Sequence, residues 1–192
     1  MSLGIEDAAF VVGGGSSPFG LAVARELVDN GARVLLVDEE LEALERAAEE
    51  LGPQALPCVA DLADPHDLRR VGGVAGALLG GVDGIVLGAA ELPEGDLLGI
   101  GHDEWVGAVG RSLSAPLALL RATIPLLEGG GGAAAVVFVI PAAAGAVGAA
   151  FRTMLGVLLD DLAATLGPAI RVERVKPAVE HAGAAARLLA PR

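Results

Sequence analysis

Two hydrophobic patterns alternate along this chain. Short, nearly continuous apolar runs fall at residues 8–12, 33–37, 55–60, 84–87 and 134–140, with a run interrupted by Arg171, Glu173 and Arg174 at 170–175. Such runs predict strands buried on both faces. Between them, apolar residues recur every three or four positions, which predicts helices with one buried face. The first such stretch covers residues 19–30 and stops at Asn30-Gly31. The second covers 39–51, with Leu41, Leu44, Ala48 and Leu51 on one stripe and Gly52 ending it. Asp64-Pro65 makes an N-cap and first-turn pair for a helix toward Leu79. Gly72, Gly73 and Gly76 weaken that helix by about 1 kcal/mol each relative to Ala. Asp103 is expected to cap a long helix over 105–127, and Pro116 predicts a kink or break within it. A helix over 151–166 carries Phe151, Leu155, Leu158, Leu162 and Leu166 along one face, and the chain finishes in an alanine-rich tail of low complexity. Without repeats or a linker, one domain over 1–192 is expected, an α/β structure with a parallel sheet between helical layers.

Composition narrows the function. Hydrophobic residues make up 53% of the 192 and aromatic residues only 3%, so the core is built mostly of Ala, Val and Leu. The net charge of −12 argues against a nucleic-acid surface and against an anionic membrane as partner. Cys58 is the single cysteine, which excludes an intramolecular disulfide and leaves a four-ligand Cys/His zinc cluster unsupported. A cytoplasmic protein fits, and Met1-Ser2-Leu3 is too short for a signal peptide. The uncharged stretch 129–151 is long enough for a bilayer span. It opens on four glycines, contains Pro141 and is otherwise mostly alanine, so a buried strand followed by a loop is the better reading.

The candidate chemistry begins at Val11-Val12-Gly13-Gly14-Gly15-Ser16-Ser17-Pro18-Phe19-Gly20. A strand, a glycine-rich turn and a helix in that order let the backbone approach a pyrophosphate and point free N–H groups at it. Gly14, Ser16, Ser17, Phe19 and Gly20 are the candidate contacts. A glycine-rich turn alone also fits a structural turn; Asp38, at the end of the next strand, has the place of a ribose-binding acid and favours the dinucleotide.

With these elements placed, the chain resembles the short-chain dehydrogenase/reductase family from about Asp7 to Val179. That family's cofactor turn reads Thr-Gly-x-x-x-Gly-x-Gly; Gly13 stands at the Thr, Gly14 and Gly20 at the first and third Gly, and Pro18 departs at the second. Asp38 matches the family's ribose acid, Asp61-Leu62 its adenine-bracketing pair, and Leu87-Gly88-Ala89-Ala90 its Asn-Asn-Ala-Gly stretch, which adds Gly88 and Ala89 to the cofactor contacts. Trp105 and Ser112-Leu113 match Trp-x6-Asn-Leu, and Ile170-Arg171-Val172 leading to Pro177-Ala178 resembles the Ile-Arg-Val-Asn and Pro-Gly stretches. The resemblance implies a Rossmann-like, doubly wound parallel sheet of about six strands in three layers, here truncated at the C-terminus. It also implies dimers or tetramers through helices 105–127 and 151–166. Asp38, Glu39 and Glu40 would repel a 2′-phosphate, so NAD is expected over NADP.

The family's chemistry is missing at the same positions. Relatives use a Tyr as proton donor or acceptor, a Lys one helical turn later, a Ser that binds the carbonyl and an Asn in a proton relay. This chain contains no tyrosine. Phe151 and Leu155 fall at the Tyr and Lys, Ala142 at about the Ser, and Ser112 at the Asn. Of the histidines, His102 is the best remaining acid/base candidate; His66 and His181 read as surface residues. Beyond Pro177-Ala178 only a short tail remains, so a substrate lid is expected to be minimal. Three readings follow: an NAD(H)-binding protein without the usual chemistry, acting as sensor, partner or inactive subunit; an NAD-dependent oxidoreductase using atypical groups such as His102 or Ser112; and an assembly protein without a ligand.

Overall fold

Successive residues of a strand point to opposite faces of its sheet. In β1 (Ala9–Gly13) every residue is buried: Phe10 and Val12 belong to one core, Ala9 and Val11 to another. A computed structural model describes residues 3–62, 64–88, 92, 98–129, 134–140 and 145–191. β1 lies inside a parallel sheet with β2 (Arg33–Asp38), β3 (Ala55–Val59), β4 (Gly84–Leu87), β5 (Ala134–Val139) and β6 (Ile170–Val175). The order is β3-β2-β1-β4-β5-β6, the Rossmann-like arrangement expected from the sequence. Strand order reverses between β1 and β4, which pair from Phe10 opposite Gly84 to Val12 opposite Val86. A crevice opens there at the carboxyl ends of the strands.

On the face holding Phe10, the helices α1 (Pro18–Asp29) and α2 (Leu41–Leu51) pack through Val23, Leu27 and Leu44. The opposite face is covered by α3 (Pro65–Leu79), by α5 (Ala115–Glu128), which follows α4 (His102–Val109), and by α6 (Gly145–Leu166). Asp64 caps α3 as expected, its Oδ1 accepting from the His66 N–H at 2.8 Å.

Several local expectations are corrected. The alanine-rich tail is not a loose end: α7 (Ala182–Leu189) buries Ala182, Ala185, Ala186 and Leu189 in the Phe10-side core, beside α1. Arg171 of β6 holds its end, donating to the carbonyls of Leu188 at 2.9 Å and Ala190 at 2.8 Å. In α2, Leu41 is 51% exposed, and Leu44, Ala47 and Leu51 form the buried stripe. Gly101, not Asp103, caps α4, because its carbonyl accepts from the Trp105 N–H. The break forecast by Pro116 takes the form of a π turn over Gly110–Ser114, in which the Ala115 N–H reaches back to the Gly110 carbonyl. Pro116 has no N–H to give a regular helical bond, and the wider turn absorbs the mismatch. Gly72 is more than a weak point of α3: a Cβ there would lie 2.5 Å from the Ala122 carbonyl oxygen, so its absence sets how closely α3 and α5 pack.

Along α6 the buried line runs through Val147, Phe151, Leu155 and Leu159; Leu158, Leu162 and Leu166 are only partly buried beside it. No helix among the described residues is long and apolar enough to cross a membrane.

Candidate nucleotide-binding site

The glycine turn is fixed by β2 before any ligand is considered. The N–H groups of Gly14 and Gly15 both donate to the Val37 carbonyl, at 2.9 and 3.1 Å. The Ser16 N–H and hydroxyl both donate to Asp38 Oδ2, and the Glu39 N–H donates to Asp38 Oδ1 at 3.0 Å. Pro18 opens α1 at a position where no helical N–H bond is lost, and Ser17 caps the helix, its Oγ accepting from the Gly20 N–H at 3.1 Å. Gly20 cannot be replaced without displacing the turn: a Cβ there would sit 2.1 Å from the Gly14 oxygen. Gly88 at the end of β4 is equally confined, its Cβ position falling 2.6 Å from the Gly13 oxygen. Glycine at both places brings the turn and β4 into contact and shapes the floor of the crevice.

Above that floor is a cleft of about 350 Å³. It extends from Asp38 and Glu39, past Gly14, Ser17, Phe19, Gly20, Leu62 and Gly88, to Val139 of β5 and Pro177 beyond β6. The cleft thus runs along the carboxyl ends of β2 through β6, where an open α/β sheet holds a dinucleotide. Of the expected contacts, Gly14, Ser17, Phe19, Gly20, Asp38, Leu62 and Gly88 line it. Ser16 does not; its donors are spent on Asp38. The Asp61 side chain is not part of the lining either, and its N–H donates to Asp67 Oδ2 at 2.9 Å. That bond and the adjacent Arg70 guanidinium hold the Asp67 carboxyl below its ordinary pKa. Arg70 also donates to the Val59 carbonyl, so Asp67 and Arg70 together anchor the segment carrying Leu62. Nearby, burial pushes the Cys58 thiol up, with Arg70 opposing. Ala89 lies outside the described residues.

The positions assigned to catalysis are not gathered in this cleft. Phe151 is fully buried in a separate cluster with Val147 and Ala108, its ring edge-on to Trp105 at 5.3 Å between centroids and 65° between planes. Leu155 is buried as well, and none of the described residues of α6 lines the cleft. Ser112 is buried in the π turn, and its Oγ has no hydrogen-bond partner among the described residues. His102 stands exposed on the first turn of α4, away from the lining, and Ala142 lies outside the described residues. No cluster of metal-ligating side chains occurs among the described residues.

Arg111 was missed by sequence reasoning. It lines the cleft and a small recess below it, beside Leu62, Gly88 and Leu119. The available signal was its isolation, as the one charge between Glu104 and Arg121. It lies within the π turn over Gly110–Ser114.

The family model of the short chain dehydrogenases matches residues 8–179. The chain belongs to the short chain dehydrogenase family. It is 30% identical over 205 aligned positions to the 1-deoxy-11-beta-hydroxypentalenate dehydrogenase of Streptomyces exfoliatus, covering 98% of this chain and 73% of that one. Against other curated oxidoreductases the match covers only 30% to 54% of their length. Among solved structures, a metagenomic short-chain oxidoreductase in complex with NADP superposes with a TM-score of 0.86 at 26% identity, covering 98% of this chain and 92% of that one. The 3-ketoacyl-(acyl-carrier-protein) reductase of Brucella melitensis, complexed with NADH, gives 0.80 at 26% identity, covering 90% and 76%. The fold of this short chain dehydrogenase family member is thus one that holds NAD(P)H in its relatives.

Proposed function

We propose that this chain binds NAD(H) in the cleft above the glycine turn and lacks the family's usual acid/base chemistry, serving as a sensor, a partner or an inactive subunit. Asp38 carries the reading. Its carboxylate stands at the cleft rim with Oδ1 and Oδ2 oriented by the Glu39 N–H and by Ser16, and an ionised carboxylate retains lone pairs for ribose hydroxyls. A 2′-phosphate at the same place would meet Asp38 and Glu39 together, which favours NAD over NADP. Phe19 and Gly20 lie where the helix start faces the pyrophosphate, Gly88 packs against the turn beneath it, and Leu62 is on the adenine side.

When bound, the nicotinamide gives or accepts a hydride. The described residues of the cleft would hold the group there. Among them none has the proton-transfer role of the family's Tyr, and the chain contains no tyrosine at all. General acid/base assistance is typically worth 10²–10⁴-fold, which is the loss in turnover this reading implies. Thermal denaturation with NAD, NADH, NADP and NADPH tests the binding; ligand at a hundred times its dissociation constant adds about 2.7 kcal/mol. A larger shift with NAD(H) supports the proposal, and no shift with any of the four overturns it.

A second reading keeps catalysis through Ser112, whose buried hydroxyl lacks a described partner and so calls for an explanation. A panel of ketones and alcohols followed at the nicotinamide absorbance tests it: turnover lost in Ser112→Ala supports this reading over the first. Assembly is compatible with both. Val106 of α4 and Met154 and Val157 of α6 are exposed apolar residues on the helices expected to pair, and light scattering reads the resulting mass.

A further inference from the structure

The turn that should receive a pyrophosphate has few donors to offer it. Within it, the N–H groups of Gly14, Gly15 and Ser17 are bonded to backbone carbonyls. Ser16 donates to Asp38 and Gly20 to the Ser17 hydroxyl, while Pro18 has no N–H. The Phe19 N–H is left open among the described residues. The field is also adverse: the chain carries −12, and the carboxylates of Asp38 and Glu39 stand on the cleft rim. A positive charge in the cleft would offset these acids for a ligand with a pyrophosphate.

Arg111 is the cation among the described lining residues. It makes no ion pair with any other described residue. One guanidinium nitrogen lies 3.0 Å from where a Cβ on Gly107 would be, so the bare backbone one helical turn earlier gives the group room. Arg111 itself lies within the π turn ahead of Pro116. A guanidinium is always charged and matches phosphate oxygens with paired N–H groups.

We infer that Arg111 is the phosphate-binding cation of this cleft, standing in for the backbone donors that the Pro18 turn does not provide. The inference rests on the nucleotide-binding reading above and gives it a specific anchor. Arg111 acts on the charge of the ligand and not on its base.

Calorimetric titrations of ADP and of adenosine, against wild type, Arg111→Gln and Arg111→Lys, separate these effects. The wild type is expected to bind ADP more tightly than adenosine, with an advantage that falls as salt is raised. Arg111→Gln is expected to weaken ADP by about tenfold, as for loss of one charge-assisted contact, and to leave adenosine unchanged. Arg111→Lys recovers part of the loss. Equal weakening of ADP and adenosine in Arg111→Gln assigns the residue to stacking on the base and overturns the inference, as does unchanged ADP binding. Failure of the wild type to bind either probe overturns the nucleotide reading itself, and the inference with it.

Discussion

The carboxylate of Asp38 accepts from the backbone N–H of Ser16, at 3.1 Å, and from the hydroxyl of the same residue. One acid at the end of β2 therefore shapes the glycine turn as well as facing the cleft. Removing it leaves the Ser16 and Glu39 N–H groups without their partner. Asp38→Ala is expected to lower stability by about 1–3 kcal/mol and Ser16→Ala by about 1 kcal/mol, read by urea denaturation. Of the two, only Asp38→Ala should also narrow the preference for NAD over NADP. Equal stability of both variants and wild type would show the contact to be idle.

Neighbouring glycines of α3 should respond oppositely to the same change. Gly73 has nothing within 4 Å of its Cβ position, so Gly73→Ala is expected to gain about 0.5–1 kcal/mol from helix propensity. Gly72→Ala carries the same gain but places a methyl 2.5 Å from the Ala122 oxygen. That contact is with backbone, so α3 and α5 must separate, and a net loss is expected. Thermal melts of the pair check the signs.

The closing helix is expected to be part of the fold's stability. Leu189 is 2% exposed in the core against β5 and α1, and Leu189→Ala should cost about 2–5 kcal/mol in chemical denaturation. A loss below 1 kcal/mol would mean that α7 is only loosely docked.

Acid should expose the anchor of the Leu62 segment. The Asp61 N–H, then Arg70, hold the Asp67 carboxyl below its ordinary range. Asp67 therefore binds its proton more weakly folded than unfolded. Its stabilisation is present above the unfolded carboxyl value of about 4 and is lost as pH falls through the lower folded value. The melting temperature of wild type is expected to exceed that of Asp67→Asn at pH 7, with the gap closing below about pH 4. A gap that stays constant through acid would contradict the role of the ionised carboxylate.

The sheet was legible in the sequence because its inner strands are buried on both faces, and apolar runs such as Val34 to Val37 and Val136 to Val139 leave little choice of element. Asp38, Gly14 and Gly20 were legible because a tight turn and a ribose acid demand those residue types. What was missed depends on packing. α7 has alanines at 182, 185 and 186 ahead of Leu189, a correct helical stripe whose small side chains resemble low complexity. Phe151 stands at the family's Tyr and read as part of an apolar helix face; it is buried, but its pairing with Trp105 in a separate cluster is not visible in the spacing. Arg111 was missed because Pro116 signals a helix break without showing that the break is a π turn with Arg111 inside it.

Calorimetric titration with NADH, with NADPH as comparison, tests the central claim most directly. The account predicts saturable binding at one site per chain, tighter for NADH than for NADPH. Absence of binding by either would contradict it.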